Sequence, residues 1–126
     1  MEKKNEVKDK SLDFAVRIIN LSKYLTSEKK EYSISKQIAR SGTSIGASVF
    51  EAQNAQSKAD FASKMNIALK EATETLYWLI LLNRTDYISD KEYNSLSSDL
   101  NEIRNLLGSI CNSTYNDLNR WKLIYI

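Results

Sequence analysis

Between Leu96 and Ile110 the residues Leu96, Leu100, Ile103, Leu107 and Ile110 recur at intervals of four, three, four and three. Only a helix gathers such positions onto one face, and the alternation is that of a seam between packed helices. Three further stretches carry a comparable stripe. Phe14, Ile18, Leu21 and Leu25 form one within Leu12 to Leu25, and Ile34, Ile38, Gly42, Ile45 and Val49 form a second that starts near Ser33. Phe61, Met65, Ala68, Leu69, Ala72, Leu76, Leu79 and Ile80 form the third. Four stripes joined by connections of roughly four to eight residues predict an all-α fold, an antiparallel up-down-up-down four-helix bundle. Proline is absent and glycine occurs three times in 126 residues, whereas a β-rich domain of this length needs more turn-formers.

The helix ends are marked as well. Ser57 to Asp60 ("SKAD") and Ser89 to Glu92 ("SDKE") have the form of capping boxes, in which the serine oxygen accepts a free backbone N–H. One domain is expected over residues 11–118. The polar run "MEKKNEVKDK" predicts a disordered tail over residues 1–10, and residues 119–126 a helix extension or docking tail.

Much familiar chemistry is excluded by residue type. Histidine is absent, which removes Ser-His-Asp and Cys-His nucleophiles and nearly all zinc catalysis. Cys111 is the single cysteine and reads as a core-edge residue of a chain kept in a reducing, cytoplasmic setting. Glu71 and Glu74 lack the Glu-x-x-His partners of a di-iron bundle and project away from the core beside Lys70. No apolar run reaches the length of a membrane span, and the N-terminus has no signal-peptide core. The expectation is a protein with no catalytic residue, no metal and no cofactor.

The stretch "RSGTSIGASVFEA", Arg40 to Ala52, places Gly42 in the core stripe of its helix and Gly46 on the flank, between Ala39 and Phe50. A glycine inside a helix costs about 0.5–1 kcal/mol relative to alanine, so two within little more than one turn call for close approach of another helix. A phosphate loop is the weaker alternative, because the spacing fits neither G-x-G-x-x-G nor a P-loop. Arg40 and Glu51 stand on the outer side.

Two other helices are apolar on more than one side. Leu12, Val16 and Ile19 form a second stripe on the first helix, and Ile67, Trp78 and Leu81 point opposite to Met65 and Ala72 on the third. A helix apolar all round is normally buried all round, which a single 126-residue bundle cannot achieve. Self-association is expected, with Val16, Ile19, Phe50, Glu51, Ile67, Trp78 and Leu81 as candidate interface residues. Charge is uneven too: residues 11–70 carry nine Lys/Arg against five Asp/Glu, and residues 71–118 carry three against eight. Such polarity suits contact between unlike surfaces of neighbouring copies, or a basic face for nucleic acid; two solvated faces without a partner is the plainer alternative.

The segments "QIARSGTSIGASVFEA", "KADF" and "IALKEATETLYWLILL" resemble the bacterial four-helix-bundle proteins named after the intervening sequences of 23S rRNA genes. Arg40 matches the second Arg of that family's pair and Glu51 the Glu before its Gly, while Ala39, Val49 and Ala52 depart from its usual Arg, Ile and Gly. The resemblance implies a ring-like pentamer. It also implies kinship with the accessory variability determinant of diversity-generating retroelements, a basic barrel that binds a reverse transcriptase and nucleic acid.

Two functional expectations follow. The first is a non-enzymatic homo-oligomer, most simply a pentamer, acting as an RNA- or DNA-associated scaffold through Arg17, Lys36, Arg40, Lys64 and Lys70, each repeated around a ring. The second is an adaptor that docks a polypeptide such as a reverse transcriptase without touching nucleic acid. Neither involves a membrane.

Overall fold

The computed structural model describes the backbone of residues 2–125 and the side chains of residues 5–119. Four helices follow one another: α1 (Glu2–Ser27), α2 (Ser33–Ala52), α3 (Lys58–Arg84) and α4 (Asp90–Tyr125). Among the described residues there is no strand. Each helix packs on its neighbour in sequence, and α4 closes on α1, so the four form the expected antiparallel bundle.

The inward stripes are regular in all four helices. In α1 the members of the stripe include Val7, Ser11, Phe14, Ile18, Leu21 and Leu25, and in α2 Ile38, Gly42, Ile45, Val49 and Ala52. In α3 they are Met65, Ala68, Ala72, Thr75, Leu79 and Leu82, and in α4 Leu96, Leu100, Ile103, Leu107 and Ile110. All repeat at threes and fours, which keeps one face of each helix on a common axis. The third helix keeps the expected face on a narrower stripe: Met65, Ala68, Ala72 and Leu79 are buried, Thr75 and Leu82 join them, and Phe61, Leu69, Leu76 and Ile80 are half-buried at its edges.

The N-terminal segment corrects the expectation of a disordered tail. Helix α1 begins at Glu2, and Val7 is fully buried. Val7 lies two turns before Phe14 on the same face, so the core stripe continues backwards into a run in which Glu6 and Asp9 are exposed. Lys10 Nζ donates to Glu102 Oε1 of α4 at 2.5 Å and ties that extension down. At the other end α4 continues to Tyr125 as a helix. Whether residues 120–126 dock on anything lies outside the described side chains.

Both predicted caps form. Asp60 N donates to Ser57 Oγ at 3.0 Å. Glu92 N donates to Ser89 Oγ at 3.1 Å, while Ser89 N donates to the Glu92 carboxylate at 2.9 Å, so two free donors are satisfied reciprocally. With no glycine available to end α1 or α3, Lys30 (φ 56°) and Asp86 (φ 66°) take the left-handed conformation instead.

Helix α2 is the narrow member of the bundle. A Cβ on Gly42 would lie 2.7 and 2.9 Å from two side-chain carbons of Ile18, inside any normal contact distance. At Gly46 the nearest atom is the Ser11 carbonyl oxygen, at 3.4 Å. Ser35, Ser41 and Ser48 are buried on the same helix. Their hydroxyls are not stranded where partners are seen: Ser41 Oγ receives the Thr75 hydroxyl of α3 at 2.9 Å, and Ser35 Oγ lies 2.9 Å from Ser22 Oγ of α1. Small side chains thus let α1 and α3 close on α2 from both sides.

Two measurements test this account. Gly42→Ala is expected to lower stability in urea unfolding by about 1–3 kcal/mol, because overpacking against Ile18 outweighs the better helix propensity. Gly108→Ala, where nothing lies within 4 Å of the added carbon, is expected to raise it by about 0.5–1 kcal/mol. The second test concerns pH. Hydrogen bonds from the Ser89 backbone and hydroxyl hold the Glu92 carboxyl below its ordinary value, with Lys29 adding a small attraction. A lowered folded-state pKa stabilises above the unfolded value of 4.5 and is lost as pH falls through the folded one. Glu92→Gln is therefore expected to be less stable than wild type at neutral pH, with the gap closing in acid.

Candidate functional site

Helix α1 presents a second apolar stripe directly opposite its core face. Leu12, Val16 and Ile19 are 51, 55 and 39% exposed, and Ala15 beside them is half-buried. A shallow depression runs along Ala15, Val16, Ile19, Asn20 and Lys23. Lys8 stands at the other end, its ammonium 5.1 Å from the centre of the exposed Phe50 ring of α2. Phe50 therefore adjoins this face, because antiparallel packing sets the C-terminus of α2 beside the N-terminal half of α1. Three branched apolar side chains in line on a solvated helix are not needed by the core, which is complete without them.

The other predicted interface residues lie elsewhere. Ile67 is exposed on α3, whereas Trp78 and Leu81 are half-buried. Trp78 packs against the core and donates from Nε1 to Glu74 Oε2 at 3.0 Å, which explains how its large ring is accommodated. Tyr77 meets it edge to face, with ring centres 4.9 Å apart, and is itself 57% exposed. Helices α1 and α3 are diagonal in the bundle. The Leu12–Val16–Ile19 stripe and the exposed apolar residues of α3 therefore lie on two separate faces.

Arg40 stands outside the bundle but is not unpartnered. Its guanidinium spans the α2–α3 seam, donating to Glu71 Oε2 at 3.3 Å and to Glu74 Oε2. Glu74 accepts Trp78 as well, so a chain of polar contacts runs from α2 across α3. Arg17 is held similarly: it donates to Asp99 Oδ2 at 2.7 Å, to the Ser95 hydroxyl at 2.9 Å and to the Ser95 carbonyl at 3.3 Å, all on α4. Lys64 pairs with Asp60 one turn away, at 3.1 Å. Of the five cations selected from the sequence, these three are joined to carboxylates. Lys36 and Lys70 are exposed. Glu51 is exposed at the end of α2.

The bridges from Arg17 and Arg40 were not legible from the sequence. Asp99 is 82 residues from Arg17, and only the bundle's handedness and register bring them together. Cys111 is buried at the core edge, and burial pushes its thiol above the ordinary value, so it is held as the neutral form. Among the described residues no three His, Cys, Asp or Glu side chains gather to hold a metal ion, and no helix is long and apolar enough to cross a membrane.

Arg40→Ala is expected to lower stability by about 0.5–1 kcal/mol at low ionic strength, with the loss shrinking in roughly 1 M salt, because the pair sits in high dielectric. Thermal melts of both proteins at the two salt concentrations measure it.

Residues 3–109 match the profile of a family described as 23S rRNA-intervening sequence protein. A crystal structure at 1.70 Å of a protein with unknown function from the S23 ribosomal protein family of Bacteroides thetaiotaomicron VPI-5482 is 62% identical and superposes with a TM-score of 0.86. The alignment covers 87% of this chain and 98% of that one. No curated protein matches.

Proposed function

This chain belongs to the 23S rRNA-intervening sequence protein family, and on that premise we propose that it is a non-enzymatic scaffold that assembles with copies of itself and presents its outer surface to a polypeptide partner. The exposed Leu12–Val16–Ile19 stripe carries this reading. A stripe of that kind on a helix already packed on its other side favours burial against another protein surface. Ile67 and Tyr77, both exposed and about 15 Å apart along the helix axis, lie on the diagonal helix. Joining one face to a different face of the next copy gives a heterologous contact, and such contacts close into a ring when the rotation allows. A pentameric ring is the arrangement the resemblance implies.

A polypeptide partner is preferred over nucleic acid because Arg17, Arg40 and Lys64 already meet carboxylates within the chain. Their charge is partly neutralised before any phosphate arrives. The exposed ammonium groups of Lys36 and Lys70 support a second reading, weak backbone-directed nucleic-acid binding amplified by a ring.

Light scattering behind size exclusion is expected to give a mass several times the 14.4 kDa of one chain, near five times it for a pentamer. The double variant Leu12→Glu, Val16→Glu is expected to run as a monomer with unchanged helix content by circular dichroism. A monomeric wild type at micromolar concentration would remove the assembly. RNA and DNA retained at about 50 mM salt by wild type, and released by Lys36→Glu with Lys70→Glu, would move the preference to the second reading.

A further inference from the structure

Among the described residues the seam between α1 and α4 is the loosest of the four in the bundle. Its facing residues explain why. Helix α1 turns Arg17, Asn20 and Tyr24 toward α4, and α4 turns Glu92, Ser95, Asp99 and Glu102 toward α1. Polar and charged side chains bridge the outer side of this seam, above the buried apolar residues of the two helices. At the end of the seam near the start of α4 the helices leave a groove of about 610 Å³. Leu21 and Leu96, both almost fully buried, form its floor, and the half-open ring of Tyr24 forms one wall. Arg17, Asn20, Lys91, Glu92 and Ser95 make the rim.

The charges around this groove are not balanced. Asp99 is answered by Arg17 at 2.7 Å, while the Glu92 carboxylate accepts the neutral Ser89 N–H at 2.9 Å, keeps its charge and attracts Lys29, so Arg17, Lys29 and Lys91 stand against two carboxylates and one positive charge is in excess. The Lys91 ammonium is exposed on the rim. Lys29 reaches over the Tyr24 ring, its ammonium 5.9 Å from the ring centre. An apolar floor with surplus positive charge above it selects a bulky apolar group next to carboxylates. The groove is open along its length, spanning Arg17 to Tyr24, about 10 Å at the rise of a helix. That length matches about three residues of extended peptide.

We propose that the α1–α4 groove docks a short acidic segment of a partner protein, seating one bulky apolar side chain on Leu21, Leu96 and Tyr24 while flanking carboxylates meet Lys91 and Lys29. The segment is a polypeptide rather than a closed-in small ligand because the groove is an open trough, not an enclosed cavity. This names the kind of partner for the scaffold reading and rests on it only for the use the site is put to.

The test uses the full chain in its native state of assembly. Fluorescein-labelled Glu-Glu-Trp-Leu-Glu-Glu is titrated by anisotropy, beside Glu-Glu-Ser-Ser-Glu-Glu and Lys-Lys-Trp-Leu-Lys-Lys, with a single-stranded RNA of equal charge as a further probe. The first peptide is expected to bind at least about tenfold more tightly than the other three probes. Lys91→Glu, on an exposed first-turn position, is expected to weaken it about tenfold, and Asn20→Trp, which fills the trough, to abolish it. Both variants must keep the wild-type melting behaviour for the comparison to count, and Tyr24→Ala serves if either does not. No binding up to about 1 mM, equal binding of all peptides, or preferential binding of the RNA would overturn the proposal. Repeating the titration on the Leu12→Glu, Val16→Glu variant separates the two readings. Loss of assembly in the wild type with peptide binding intact would sink the ring alone, and an assembled wild type blind to the peptide would sink the groove alone.

Discussion

Ile18 fills the space that Gly42 leaves empty, and the spacing of the bundle depends on that contact. Side-chain carbons of Ile18 come so close to the α2 backbone that even a methyl group at position 42 has no room. The rest of α2 is thinned in the same manner, by Gly46 on the α1 side and by Ser41 and Ser48. The helix therefore serves as the narrow element that α1 and α3 both approach. The hydroxyl contacts Ser41–Thr75 and Ser22–Ser35 keep the buried polar atoms satisfied, so the close approach is not bought with stranded hydrogen-bond donors. The large side chains of the core, such as Phe14, Ile45, Met65 and Leu100, then fill the axis that remains.

The opposite seam is built on another principle. Between α1 and α4 the closing contacts are Lys10–Glu102 and Arg17–Asp99, both partly exposed. Exposed pairs contribute little each, so this seam adds orientation more than stability. Tight packing on the α2 side and polar bridging on the α4 side make the bundle asymmetric. The asymmetry has a consequence for surfaces: the α1–α2 side offers a continuous apolar stripe, and the α1–α4 side offers a trough between bridged helices. A family member from Bacteroides thetaiotaomicron superposes over nearly its whole length, so the bundle is a shared frame on which such surfaces are placed.

Most of the fold was legible because period and capping are local properties. The α4 stripe, the start of α2 at Ser33 and the Ser57 and Ser89 caps all follow from residues within a turn or two of one another. Val7 was legible too, since it continues the four-three spacing of Phe14 and Ile18, but the charged residues around it masked the signal. The register of α3 was harder. Thr75 is polar and reads as solvent-facing until a hydroxyl partner on another helix is known, and Leu76 beside it is the more obvious core residue.

For the surfaces the division is sharper. The sequence by itself determined that four helices form, that α2 carries glycine where another helix must come near, and that Leu12, Val16 and Ile19 share one side of α1. Those properties depend on neighbours three and four positions away, whose geometry a helix dictates. Only the tertiary structure decided that Arg17 and Arg40 meet Asp99, Glu71 and Glu74, that Trp78 lies against the core, and that α1 and α4 part to leave a trough. Those contacts join residues dozens of positions apart. The rotation of each helix about its own axis sets them, and that rotation is fixed by packing all four helices at once.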